Sequence, residues 1–588
     1  MQKYSELVLT LLKNRGIESE VEIEKFLNPS FENDLFDPFL MRDMERACVR
    51  LFEAFEAKQK IIIYADYDCD GIPGAVILGD LFKKIGYKNY EVYIPMRNSE
   101  GYGLNMSAIK EFADKKVELI ITIDLGITAV AEIAEAKVNG IDVIITDHHL
   151  PHETLPRACA ILNPKVDEYP EKLLCGASVV FKFVQAFIKK YGEYYDALHE
   201  QKGADNFLSA ELATLKQSST AKSSAPFCSG WDKWMLDMVG IATLSDMVPL
   251  LGENRALAYF GMKVLRKTRR PGLQKLLAKM NIDARYLVED DITFMVSPRL
   301  NAASRMDNPL RAYELLATSS EAEAGELAKH LSKINDERKL IVAGIMREVK
   351  KKFEKRDLKE VIVIGNPTWR VGVLGLVAGK ICDEYSKTVF VWGKDENDCI
   401  KGSCRSSGDI SIVELMSSNS EHFLEYGGHE MAGGFTVENE KIHFLEEKLC
   451  EAYQKLQNRL ERQDLKGVQG LALKSDLEGD FSLISHKNWK DIEKLAPFGL
   501  GNPKPTFLFK NVQIEKIKKF GKNGSGEHLE IIFSDVNKGK AKAISFFSNQ
   551  DSFETKIEEN LKVNLLATIE LSRFGGKEEL RLRIINIF

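Results

Sequence analysis

No apolar run in this 588-residue chain approaches the roughly 18 residues that a bilayer-spanning helix needs. The N-terminal stretch from Met1 to Gly16 sets Lys3, Glu6, Lys13 and Arg15 around a short apolar stripe, which reads as an amphipathic helix rather than a signal peptide. The nine cysteines include no Cys-x-x-Cys pair and are odd in number, so a disulfide framework is not expected and a reduced, cytoplasmic compartment is. Cys69 and Cys404 read as small packing residues. A basic surplus is also missing: 81 Lys and Arg stand against 87 Asp and Glu, for a net charge of −6. That balance does not advertise a nucleic-acid binder, although overall charge says little about local patches. Lys516, Lys518, Lys519 and Lys522 form one local basic stretch, which reads equally as a solvated loop or strand edge. No fixed-period repeat is present, so a solenoid is not expected.

What is present is a core-forming chain, 44% hydrophobic and 29% charged, long enough for about four domains. Three short β-branched runs each stop at a metal-type ligand. Ile61-Ile62-Ile63-Tyr64-Ala65 ends at Asp66-Tyr67-Asp68-Cys69-Asp70; Leu119-Ile120-Ile121-Thr122-Ile123 ends at Asp124; Val143-Ile144-Ile145-Thr146 ends at Asp147-His148-His149. Such runs read as buried parallel strands, and open α/β sheets bind ligands beyond the carboxyl ends of their strands. A fourth apolar run, Met235 to Leu244, stops at Ser245-Asp246 and reads as one more strand end bearing an acid. At least six carboxylates and imidazoles along one rim would repel strongly. Divalent cations remove that difficulty, and an oxygen-rich, His-supplemented set suits Mn²⁺ or Mg²⁺.

The fold class expected is α/β. Residues 1–58 read as an N-terminal helical segment. Residues 59–270 alternate strands and helices around a parallel sheet, interrupted by a polar tract at about 201–229 that reads as a mobile insertion. A connecting helical region with a long helix covers 271–356. A second α/β domain spans 357–450 and contains Gly427-Gly428-His429. After a charged linker, residues 466–588 turn to short alternating segments between Gly, Lys and Asn turns, which suits a small β-barrel of the OB type.

Asp66, Asp68 and Asp70 followed by Gly71 also open like an EF-hand loop. That reading fails, because Ile77 stands where the twelfth-position Glu belongs and a strand rather than a helix precedes. In Asp147-His148-His149 the two imidazoles diverge, so one faces a metal while the other faces substrate. Arg299, Asn301 and Arg305 offer guanidinium groups for bidentate phosphate binding, or else pair with surplus acids. Ser403, Arg405 and Ser406, with the Gly427-Gly428-His429 loop, offer a second phosphate cradle built on backbone N–H groups.

Asp-His-His placed after Asp-x-Asp and a lone strand-end Asp resembles the DHH phosphoesterase superfamily. Over nearly its whole length the chain is similar to the RecJ family of single-strand-specific exonucleases. The strings that carry this are Ile94 to Leu104, Leu174 to Ala177, Asp246 to Arg255, Pro298 to Met306, Gly402 to Ser406, Gly427 to His429 and Leu495 to Pro503. The resemblance implies a DHH domain, a DHHA1 domain and an OB-fold. It implies Asp68 and Asp70 as ligands of a first and a second metal, Asp124 as the bridge, and His148 and Asp246 on the second metal. Asp66 stands nearby, His149 is implied to contact phosphate or act as acid/base, and Asp147 to orient a His. Arg97 and Tyr102 join the arginine and glycine motifs as substrate-binding residues. The chain departs from the family pattern at Tyr64, where a His is usual, at Ala65, Ser178 and Ser304 in place of glycines, and at Arg370 where a His is common.

The function so implied is a monomeric, cytoplasmic, Mn²⁺/Mg²⁺-dependent 5′→3′ exonuclease. It would cut single-stranded DNA to 5′-mononucleotides in recombination and repair, with single-strand-binding protein and a helicase as partners. Two alternatives are a DHH phosphodiesterase of short oligonucleotides or cyclic dinucleotides, and a non-catalytic DHH scaffold. The long tail argues against the first and the intact ligand set against the second.

Overall fold

The computed structural model describes residues 3–97, 99–166, 168–210, 230–408, 410–462, 475–521, 528–546, 548–550, 552–573 and 578–588. Most of the polar tract at 201–229, and Lys522, lie outside them. Two compact units are discontinuous in sequence. One gathers Met1–Phe36, Met247–Phe260 and Val468–Phe588; the other holds Asp37–Asp246 and Gly261–Gly467. Among the described residues no helix is long and apolar enough to cross a membrane.

The larger unit contains two sheets. The first consists of β1 (Ile61–Ala65), β2 (Tyr90–Tyr93), β3 (Leu119–Ile123), β4 (Asp142–Thr146) and β5 (Ala160–Leu162), in the order β2-β1-β3-β4-β5 with every pairing parallel. β1 and β3 are buried along their whole length, as uniformly apolar, helix-covered strands should be. The chain leaves β1 in one direction to reach β2 and in the other to reach β3. The crevice between the ends of β1 and β3 is therefore a topological switch point, where doubly wound sheets bind ligands. The helix Gly71–Ile85 follows β1, and the helix Gly176–Ala210 begins beside the same crevice.

The second sheet joins β6 (Val361–Gly365), β7 (Thr388–Lys394), β8 (Ile400–Arg405), β9 (Glu425–Gly428) and β10 (Ala432–Val437) in the order β6-β7-β8-β10-β9. Only β6–β7 is parallel. Between the sheets run the helices Ser297–Met306, Leu310–Ala317 and Glu321–Phe353. A π-helical turn, Ile292–Val296, leads into the first of them.

The smaller unit is built on β11 (Leu477–Glu478), β12 (Phe507–Phe520), β13 (His528–Ser534), β14 (Lys540–Phe546), β15 (Lys562–Ser572) and β16 (Glu579–Ile587). The order is β11-β12-β13-β14-β16-β15, and β12 pairs with β15 to close a barrel. The N-terminal helices Glu6–Lys13 and Glu20–Leu27 complete its core, with Val8, Leu11 and Phe26 packed in one cluster with Phe507, Phe509 and Leu565. One side chain ties the three chain segments together. Arg255 is 3% exposed and lies over the Phe26 ring, 3.6 Å from its centre. It donates to the carbonyl oxygens of Phe26, Leu495, Ala496 and Pro497 at 2.9–3.3 Å.

Arg255→Ala strips a donor from four carbonyl groups, of which Leu495 O and Pro497 O keep Asn502 Nδ2, and a buried acceptor left unpaired costs about 1–3 kcal/mol. The barrel unit should lose on the order of 3 kcal/mol or more, read as faster amide exchange in β12 and β15. Exchange unchanged in both strands would show that Arg255 is not the clamp.

Candidate metal centre and phosphate-binding side chains

Asp66 is 4%, Asp70 1% and Asp124 3% exposed. They come together because β1 and β3 end side by side. Asp124 holds a left-handed backbone, φ 62°, a conformation that non-glycine residues adopt at a cost and mostly at functional sites. Two helix starts face this cluster. Asp68 Oδ1 accepts from the N–H groups of Asp70 (2.8 Å) and Gly71 (3.1 Å), where the helix Gly71–Ile85 begins. Asp70 accepts from Gly176 (2.5 Å) and Ala177 (2.7 Å), where the helix Gly176–Ala210 begins. Helix N-termini carry partial positive charge, so both offset part of the repulsion. Gly176 has no alternative: a Cβ there would sit 2.7 Å from Asp124 Cβ.

The offset is incomplete. Burial, and then neighbouring aspartates, push Asp70 up to about 7 and Asp246 up to about 9. The same causes raise Asp66 and Asp124 well above the usual carboxylate range. Asp66 Oδ1 and Asp124 Oδ1 are buried without a hydrogen-bond partner. His148 Nε2 stands 3.1 Å from Asp124 Oδ1 but does not meet it in hydrogen-bond geometry. Burial, followed by the charges of His149 and Lys165, lowers His148 to about 3, so its imidazole is neutral, the form that binds metal.

Three donor sets lie within 4.8 Å: Asp66, Asp68 and Asp124; Asp70, His148 and Asp246; and Asp124, His148 and His149. Asp124 links the first set to the third, and His148 links the third to the second. Orphaned buried carboxylate oxygens, a neutral imidazole and two oxygen-rich sets sharing neighbours fit a pair of hard divalent cations.

Asp147 has a different task. Burial pushes it up, but the His149 ring and backbone donors outweigh burial and hold it below the usual range. It accepts from Ile127 N, His148 N and His149 N, and lies 2.8 Å from His149 Nδ1. The Tyr102 hydroxyl lies 3.3 Å from the same ring, which stacks at 6.1 Å on His429 from the turn between β9 and β10. His149 is thus fixed between the two sheets of the larger unit.

One expectation is corrected. Asp246 does not end a strand; it caps the helix Leu236–Ser245. An apolar run this short does not distinguish a buried helix from a buried strand. The helix packs closely on its neighbour, since a Cβ on Gly240 would fall 2.9 Å from Gly261 Cα. The helix end still delivers Asp246 Oδ2 to 3.8 Å from His148 Nδ1.

The sequence candidates for phosphate binding take several forms. Arg299, Asn301 and Arg305 ride on the helix Ser297–Met306. Arg305 donates to Gly372 O (3.2 Å), Arg299 to Met295 O (2.7 Å) and Arg405 to Cys404 O (2.8 Å). Among the described residues none of these three forms an ion pair with a carboxylate, so they do not balance the acidic rim by direct contact. Burial first, then Arg97, Arg338 and Arg405, lower Arg305 to about 9. Arg97 lies over the Tyr67 ring at 5.1 Å. Ser403 Oγ donates to Gly433 O.

The Gly427-Gly428 string lies in a hairpin at the edge of the second sheet. Gly427 and Gly428 pair with Gly434 and Gly433 in the β9–β10 ladder, and Ser406 N donates to Met431 O. The Ser406 hydroxyl donates to Ile410 O. Strand pairing thus engages one side of β9, and its other side is the open edge of the sheet. Tyr64 is fully buried. Its hydroxyl donates to Gly103 O and accepts from Asn105 Nδ2, both at 3.0 Å, fixing the loop that carries Tyr102. Arg370 donates to Met306 O. Sequence reasoning missed Lys165, whose ammonium donates to His148 O and which burial shifts downward. It also missed Arg338, beside Arg299 and Arg305. Neither lies in a recognisable string.

Residues 60–215 match the DHH family N-terminal domain, 358–462 the DHHA1 domain and 475–586 the RecJ OB domain. The chain is 31% identical over 582 residues to the single-stranded-DNA-specific exonuclease RecJ of Bacillus subtilis, covering 98% of this chain and 67% of that protein. A crystal structure of exonuclease RecJ bound to manganese is 28% identical, with a TM-score of 0.58, over 72% of this chain and 96% of that one. The fold also matches RecJ of Thermus thermophilus in complex with Mn²⁺, at TM-score 0.76 and 24% identity over 100% of this chain and 76% of that one.

The metal-free protein should therefore lose stability as pH rises. Asp70 and Asp246 keep their protons in the folded state up to about 7 and about 9, whereas the unfolded chain releases them near 3.8. Their contribution is complete below that value and is lost as pH climbs through 7 and then 9. Mn²⁺ binding displaces the protons, so the rise in Tm on adding Mn²⁺ should be small at pH 5.5 and grow to pH 9. A rise independent of pH would reject the assignment of these carboxylates to the ions.

Proposed function

Because the chain belongs to the RecJ family of DHH-domain exonucleases, we propose that it hydrolyses single-stranded DNA from the 5′ end, releasing 5′-mononucleotides. The observation that carries this reading is the carboxylate set and the carboxylate–imidazole set at the switch point, together with Arg299, Arg305 and Arg405, which form no ion pair with an acid among the described residues. Asp66, Asp68 and Asp124 would hold one Mn²⁺ or Mg²⁺, and Asp70, His148 and Asp246 a second, with Asp124 between them. When bound, such a pair lowers the pKa of water and neutralises charge on the scissile phosphate. The protein's own groups do the rest. Arg305 and Arg405 grip phosphate oxygens bidentately. His149, oriented through Nδ1 by Asp147, presents its other nitrogen to the substrate, where it can hand a proton to the leaving 3′ oxygen. Tyr102 packs against that imidazole and limits its rotation. The barrel unit grips incoming strand by stacking and backbone charge. Work in recombination and repair, a cytoplasmic location and a monomeric state belong to the same proposal, as do single-strand-binding protein and a helicase as partners.

Strands labelled at either end test the direction. Early release of a labelled mononucleotide from the 5′ end supports the reading, and release first from the 3′ end overturns it. Asp124→Ala should cut the rate by roughly a hundredfold or more while the fold melts as before; activity within about tenfold of the parent would remove Asp124 from the centre.

Arg305→Lys tests end recognition. A lysine supplies charge without the bidentate fork. Cleavage of 5′-phosphorylated strands should then fall much more than cleavage of 5′-hydroxyl strands. Equal losses on both would assign Arg305 to general charge balance.

A further inference from the structure

Arg338 stands outside every motif read from the sequence. It lies on the helix Glu321–Phe353, which packs along the helix Ser297–Met306 that carries Arg299. Arg299 is only 9% exposed. Both guanidinium groups bury an Nε–H with no acceptor in reach. On the face of the long helix below Arg338, at three-residue intervals, lie Asn335 and Ser332. Asn335 is fully buried with both amide atoms unpartnered, and the Ser332 hydroxyl is unpartnered too. Buried donors in native proteins are nearly always paired, so a cluster of this size implies an occupant.

Charge narrows the choice of occupant. Arg338 is held down by burial and then by Arg299. An arginine does not shed its proton, so the repulsion persists until an anion enters. The carboxylate that acts on Arg299 is Asp336, which is exposed and lies 3.8 Å from Lys339. Water could satisfy the Nε–H groups but would leave the like charges facing each other.

The cationic residues also form a series. Tyr67, between Asp66 and Asp68, feels both Arg97 and Arg305. Arg305 feels Arg97, Arg338 and Arg405. Arg338 in turn feels Arg299. These guanidinium groups therefore act on one another as a single basic cluster, which also acts on Tyr67 between Asp66 and Asp68. We infer that Arg338 and Arg299, backed by Asn335 and Ser332, form a subsite for an internucleotide phosphate, separate from the phosphate held at Arg305. This rests on the strand-hydrolysis reading.

The test compares Arg338→Gln and Arg338→Lys with the parent on a 5′-phosphorylated dinucleotide and a decanucleotide, with Mn²⁺. Relative to the dinucleotide, kcat/KM on the decanucleotide should fall about tenfold for Arg338→Gln, mainly through KM, and lysine should recover part of it. Removing one of two facing charges should leave the Tm of the free protein equal or higher. Equal losses on both substrates, or an undiminished decanucleotide rate, overturn the subsite and leave the gap to water. A lower Tm without a change in KM would assign Arg338 to packing. Binding is measured separately in the Asp124→Ala background. There Arg338→Gln should weaken decanucleotide affinity and reduce its salt slope by about 0.7. Inorganic phosphate protecting Arg338 as well as the strand does would reassign the site to a free anion and overturn the proposal. If the parent binds strand but does not cut it, the exonuclease reading falls while this binding arm still judges Arg338.

Discussion

The mutual repulsion of buried aspartates at the switch point is the constraint to which the rest of the larger unit is fitted. Three of these carboxylates are almost wholly removed from water, and charges so placed interact far more strongly than at a surface. Two helix starts aim their N–H groups into the cluster, and Gly176 is small enough to lie against Asp124. Asp124 accepts a strained backbone to present its carboxylate between the two donor sets. Each device reduces the repulsion without abolishing it. What remains is an affinity for positive charge.

The arginines form the complementary half. They come from the helix Ser297–Met306, from the long helix and from β8, and none of Arg299, Arg305 and Arg405 pairs directly with an acid among the described residues. Placing acids and arginines in one unit without letting them neutralise one another leaves two opposite deficits. A phosphodiester with its counter-cations satisfies both at once: phosphate oxygens face guanidinium groups, and cations face carboxylates. Binding then gains from relief on each side, and neither half is fully stable alone. This is why the ionisation of the carboxylates and the burial of the arginines belong to one design.

The sequence made the first sheet legible because β-branched runs with an acid at the end have few other readings. Asp66, Asp68, Asp70, Asp124 and His148 were placed at strand ends that way, and the structure brings them together; the barrel followed from its alternation. Other features depend on contacts distant in sequence. Asp246 was read as a strand end because a ten-residue apolar run carries no usable period; only the close approach of Gly240 and Gly261 reveals a helix. The Gly427-Gly428 pair suggested open N–H groups, and the structure sets it in the edge strand β9, paired with β10 on one side only. Residues 1–58 read as an N-terminal helical segment, yet the apolar faces of its first two helices fill the barrel core, where Arg255 meets Phe26 across 229 residues. Lys165 and Arg338 carry no local signal: their meaning is the company they keep in space.

Tyr64 shows how a departure from a family pattern is absorbed. A histidine at the end of β1 could point an imidazole toward the cluster. The tyrosine instead turns into the core, stacking on Tyr93 with ring centres 5.1 Å apart. Its hydroxyl reaches Gly103 and Asn105 on the loop that presents Tyr102. Tyr102 in turn contacts His149 and the Asp124 carbonyl. Burial raises the Tyr64 phenol far above its ordinary value, so it stays neutral and does not compete for a cation. The first donor set is complete without it, since Asp66, Asp68 and Asp124 already supply three carboxylates. The substitution thus exchanges a metal-type ligand for a brace, and the brace reaches the carboxylate cluster through Tyr102.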